Sequence, residues 1–130
     1  MLCSTARRPR RIAAALLGAL MLVTAPVPRA AAADAPAYID RIPDLPLMTG
    51  LREVPDAGVT FDKPSGRIVE AFAHGEVARA AVRSFYRETL PQLGWTRTAP
   101  GTFAREGERL TLDYLGGDGD LTVRFTLQPR

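Results

Sequence analysis

Residues Glu76 to Trp95 read EVARAAVRSFYRETLPQLGW, and this stretch decides the fold. At about 100° per residue, Val77, Ala78, Ala81, Val82, Phe85, Tyr86, Thr89 and Leu93 gather on one half of a helical wheel. Glu76, Arg79, Ala80, Arg83, Ser84 and Arg87 fill the other half. The pattern predicts an amphipathic helix with one wide buried face. Gly75 is placed to cap its start, and Glu76 sets negative charge near the positive end of the helix dipole. Pro91 lacks an N–H and crowds the carbonyl of Arg87, so the regular helix should end or kink near Leu90. Gly94 tolerates φ > 0 in the C-terminal turn, and Trp95 is positioned to fold its indole back over the helix end.

Everything after residue 57 apart from this helix reads as β-structure. Val59 and Phe61 alternate with Thr60 and Asp62, the DKPSG sequence at 62–66 is a turn, and RIVEAF at 67–72 is a second strand. Past the helix, strands are predicted from Trp95 to Ala99, at Thr102–Arg105, from Arg109 to Leu115 and over Leu121–Leu127. In the last of these Leu121, Val123, Phe125 and Leu127 alternate with Thr122, Arg124 and Thr126, which means one buried and one wet face. The expected fold is α+β: a single helix packed on one face of an antiparallel sheet, in the order ββαββββ, over residues 58–130.

Val82, Phe85-Tyr86, Leu90 and Gly94-Trp95 make a V-x-x-F-Y-x-x-x-L-x-x-x-G-W pattern. It resembles a motif of small secreted or lipid-anchored bacterial domains of unknown function, in which a hairpin precedes the helix and a meander follows. The stretch from Arg41 through Val69 is also similar to uncharacterised alphaproteobacterial exported proteins, and the resemblance covers most of residues 41–130. The resemblance implies a fold and an exported setting. It implies no activity, because the shared residues are mostly apolar.

Upstream, residues 1–33 have the three parts of a secretory signal peptide. Arg7, Arg8, Arg10 and Arg11 are basic, Ile12 to Ala25 is apolar, and Ala31-Ala32-Ala33 offers small residues for cleavage before Asp34. The apolar run is shorter than the roughly 20 residues that span a bilayer, and retention as an uncleaved N-terminal anchor is the rival reading. Cys3, the one cysteine, precedes that run and is misplaced for lipidation. It would leave with the signal, so the mature chain has no thiol chemistry. Five of the 17 basic residues also precede Asp34, leaving 12 against 14 acidic ones. A nucleic-acid partner loses its electrostatic basis, and a periplasmic or secreted location is expected.

Residues 34–57 hold Pro36, Pro43, Pro46 and Pro55 and no sustained period, so an extended arm is expected. Its Tyr38, Ile39, Ile42, Leu45, Leu47, Met48 and Leu51 are too many large apolar groups for a solvated linker. The plainer reading packs the arm over a sheet edge or the helix end. The sharper one makes Leu45, Leu47 and Met48 a docking surface.

Candidate chemistry is sparse. His74, the one histidine, stands at a strand–helix junction without an evident metal-ligand set or nucleophile motif. Gly116 to Asp120 holds two carboxylates for a weak cation, although a hairpin loop explains it. Asp62 with Glu70, or Glu106 with Glu108, would need geometry to act as an acid–base pair. Phe72, Trp95 and Phe103 read as core. Arg79, Arg83 and Arg87, at i, i+4 and i+8, form a stripe suited to an acidic partner or anionic lipid head groups. A solvated helix face is the plainer alternative. The expectation is a non-catalytic exported domain, without metal or cofactor, that binds an envelope protein or surface component, with peripheral membrane contact through the stripe. The alternative is a carrier of a small apolar ligand in a pocket between helix, sheet and arm.

Overall fold

The structure, a computed structural model, describes residues 35–130. The signal-peptide reading, its cleavage site and Cys3 lie outside the described residues. The described part falls within one compact unit. Short strand β1 (Arg52–Glu53) leads through a single 3-10 turn (Pro55–Ala57) to β2 (Val59–Lys63) and β3 (Gly66–Gly75). Helix α1 (Arg79–Gln92) follows, then β4 (Thr96–Ala99), β5 (Thr102–Arg105), β6 (Glu108–Gly117) and β7 (Asp120–Pro129). All pair antiparallel in one sheet, ordered β1-β3-β7-β6-β5-β4, with β2 also beside β3. The expected α+β fold with one helix is what these residues form, with β1 added from the arm.

The chain of antiparallel pairings makes β3 and β4 parallel to each other. The helix therefore carries the chain back along the sheet and across β7, β6 and β5 to the far edge. Its buried stripe is Val82, Tyr86 and Leu90. These meet the inner sheet positions Val69, Ala71, Ala73, Phe103, Leu110, Leu112, Leu121, Val123, Phe125 and Leu127, all at most 4% exposed. Tyr86 and Phe125 pack edge to face, 5.4 Å between ring centroids.

The helix ends differ from the periodicity. Gly75 is still in β3, opposite Leu121, and Ala78 is extended, so the first helical residue is Arg79 rather than Glu76. Gly75 instead serves close approach, because a Cβ there would overlap the carbonyl oxygen of Gly50 in the arm. At the other end Pro91 lies inside the last turn. Gly94 has φ +86°, its N–H donates to Pro91 O and that of Trp95 donates to Leu90 O, the Schellman pattern. Trp95 is buried, with the Arg105 guanidinium stacked 4.6 Å from its ring centroid.

The arm is part of the domain. Ile39, Ile42, Leu45 and Leu51 are buried in the same core, and Leu47 and Met48 pack half-buried against it. Tyr86 Oη donates to Pro46 O at 2.9 Å, tying the arm to the helix.

The outer face is polar over β6 and β7, where Arg124 pairs with Asp113 at 2.8 Å. Phe72, expected in the core, stands on this face opposite Arg124 and is half-buried, because the alternation that buries Ala71 and Ala73 turns it outward. Phe61 and Ile68 are also directly opposed on it. Edge strand β2 is short, ends in Lys63 and is followed by Pro64, features that discourage edge-to-edge pairing.

Candidate functional site

Arg83 and Arg87 each follow a core residue of the helix, Val82 and Tyr86. They therefore sit about 100° around from the buried stripe and flank it instead of opposing it. The arginine stripe accordingly overhangs the sheet on the side of β4, β5 and β6. There it walls a cleft of about 460 Å³, lined by Arg79, Arg83 and Arg87 from α1, Arg97 from β4, Pro100 and Gly101 from the β4–β5 turn, and Tyr114 from β6. Phe103, Leu112 and Tyr86 form its floor. A second hollow of about 570 Å³ adjoins the same three helix arginines on their other side, bordered by Ser84, Gly117 and Asp118.

Strand lengths create the cleft. β5 pairs with β6 only over Glu108–Thr111, and one further bond runs from Leu112 N–H to Gly101 O. Beyond that point no strand among the described residues borders this edge of β6. Arg97 is directly opposite Phe103, an inner-face residue, so its side chain is on the helix side of the sheet.

The electrostatics are one-sided. Arg79 and Arg83 lie over the Tyr114 ring, 5.8 and 5.5 Å from its centroid. Arg79 Nη2 donates to Gly116 O at 3.0 Å. Burial raises the Tyr114 phenol above its ordinary range, with the two arginines pulling it back in part. It stays neutral near pH 7 and does not cancel their charge. Among the described residues, the guanidinium groups of Arg79, Arg83 and Arg97 have no carboxylate within 4.0 Å. Arg87 has only the exposed Glu88, at 3.7 Å. Asp113 borders the cleft, but its carboxylate is engaged by Arg124. Asp118 Oδ1 accepts the Arg79 backbone N–H at 2.9 Å and thereby caps the helix from a distant loop.

The other candidates are dispersed. The loop read as a weak cation site closes the β6–β7 hairpin, Gly117 opposite Asp120, with its two carboxylates turned to different partners. No group of three or more metal-ligating side chains occurs among the described residues. His74 Nε2 lies 3.4 Å from Asp120 Oδ1, and Nδ1 lies 3.1 Å from Thr122 Oγ1. That is a carboxylate–imidazole–hydroxyl line. It lies on the outer face with the His74 and Asp120 side chains 48% and 88% exposed, where water screens it. Asp62 and Glu70 fall on opposite faces of the sheet. Leu45 is fully buried, and Leu47 and Met48 are half-buried against the core, so the docking surface expected of these three is instead turned into the domain.

Sequence reasoning found three of the cleft arginines and missed Arg97 and Tyr114. Tyr114 reads as the third core position of an alternating strand, and Arg97 joins the helix arginines only through strand order. Comparison with family models, curated proteins and solved structures finds no match to this chain.

Proposed function

We propose that this is an exported, non-catalytic binding module that holds an anionic component of the cell envelope in the arginine cleft. The observation that carries the reading is the convergence of Arg79, Arg83 and Arg97 on one cleft, with no carboxylate paired to any of their three guanidinium groups among the described residues. Concentrated like charge is self-repelling, and a cleft lined by one sign draws in the opposite one. Arginine forks match carboxylate and phosphate oxygens in pairs. The volume is in the range of small-molecule sites, roughly 300–1,000 Å³.

An apolar cargo fits less well. The space between helix, sheet and arm is filled by Ile39, Ile42 and Leu45, and the open cleft is rimmed by charge. The open position of His74 supports a binding role over catalysis.

Calorimetry with inorganic pyrophosphate tests the reading. The wild-type chain should bind it, and the double variant Arg83→Gln/Arg97→Gln should lose about tenfold or more in affinity, the worth of one charge-assisted hydrogen bond. Arg67→Gln/Arg109→Gln, which changes net charge equally away from the cleft, should bind as wild type. Equal losses in both variants would show diffuse charge attraction and end the proposal.

A further inference from the structure

We infer that the occupant of the cleft is an acidic peptide segment in extended conformation, added as a short strand to the open edge of β6. The inference rests on the anion-binding reading above and adds the partner's class and backbone geometry.

Three observations converge on it. First, β6 is ten residues long, but β5 pairs with only its first four. The odd-numbered residues from Arg109 to Gly117 face β7 in the hydrogen-bonding direction, as the register closing at Gly117 and Asp120 requires. The even-numbered ones face the other way. Leu112 N–H accordingly reaches Gly101 O, and Gly116 O reaches the Arg79 guanidinium. Tyr114, between them, turns its backbone N–H and C=O to the same edge, where no strand of the described residues stands. Main-chain groups at an open sheet edge are a template for an incoming strand.

Second, the spacing matches. Arg79, Arg83 and Arg87 are four residues apart on a helix, so successive members are about 6 Å apart along its axis. Alternate side chains of an extended strand, which point to one face, are about 6.6–6.8 Å apart. A strand laid along the β6 edge with acidic residues at every second position would set one carboxylate against each successive arginine.

Third, part of the arginine wall is already fixed in place. Arg79 occupies Gly116 O and stacks with Arg83 on Tyr114. Arg97, on the opposite wall, would face the strand from β4. Backbone pairing would supply affinity, and the arginines would select acidic side chains.

The test uses the full chain and three synthetic hexapeptides, read by fluorescence anisotropy and by amide hydrogen exchange. One alternates Glu with Thr, one has the same composition in two blocks, and one is the alternating peptide N-methylated at its central residues. The alternating peptide should bind about tenfold or more tighter than either of the others. It should also slow exchange of the Tyr114 amide, while Arg83→Gln weakens it similarly. Equal affinity for alternating, blocked and N-methylated peptides, or an unchanged Tyr114 amide, overturns the strand-addition inference. If pyrophosphate still binds in that event, the anion cleft stands with a different occupant. If neither pyrophosphate nor any peptide binds, the cleft reading itself falls.

Discussion

Tyr114 shows how one ring can set a binding surface. Two guanidinium groups share it, so they are held over the cleft before any ligand arrives. Tyr114→Phe keeps the ring face and should leave pyrophosphate affinity near wild type, whereas Tyr114→Leu should weaken it several-fold by freeing both arginines; calorimetry separates the two. Asp118 acts at the same scale. Asp118→Ala removes the acceptor for the Arg79 N–H and should cost about 1 kcal/mol in urea unfolding, the usual worth of a helix cap. Neither role was legible in the sequence, since Asp118 is 39 residues from the N–H it meets. The tyrosines also set an alkaline limit. Burial raises the phenols of both Tyr86 and Tyr114. In the unfolded chain they ionise near pH 10, so above that value the unfolded state sheds protons that the folded state keeps. Stability is therefore full below about pH 10 and falls as pH rises toward the folded values. The urea midpoint should be lower at pH 11 than at pH 9, and Tyr86→Phe should lessen the drop.

At the scale of elements, what could be read locally was read. The helix, the 62–66 turn and the alternating last strand carry their periods in the chain itself. The helix start could not be located that way. Gly75 and Glu76 look like a cap and a first turn, yet strand pairing with Leu121 continues through Gly75 and the cap comes from another loop. The Schellman ending overrides Pro91, because the missing N–H is lost near the helix end, where the neighbouring bonds of Gly94 and Trp95 still form. Trp95 closes that ending at 3% exposure, so Trp95→Ala should cost about 3–5 kcal/mol in denaturation. An unchanged midpoint would mean the indole is not packed. The arm has no period to read, and its place in the core is fixed by Leu45, Ile39 and the Tyr86–Pro46 bond. Tyr86→Phe should cost roughly 0.5–1.5 kcal/mol and raise hydrogen exchange first in residues 39–48. Uniform exchange changes across the sheet would contradict that local role.

For the whole molecule, strand order is the quantity that local patterns do not contain. The helix crosses three strands before β4 begins, and that crossing sets Arg97 opposite an arginine stripe that on a helical wheel looks merely wet. A short β4–β5 hairpin beside a long β6 then leaves the opening between them. The cleft is thus a product of topology and strand length, assembled from residues that separately read as surface, turn and core. Its chemistry is most directly tested by following the Nε–Hε resonances of all arginines in the folded chain during a pyrophosphate titration. The expected result is that Arg79, Arg83 and Arg97 shift together with one saturating binding curve, while Arg67, Arg109 and Arg124 stay in place. Small, unsaturated shifts spread over every arginine would contradict a built anion site.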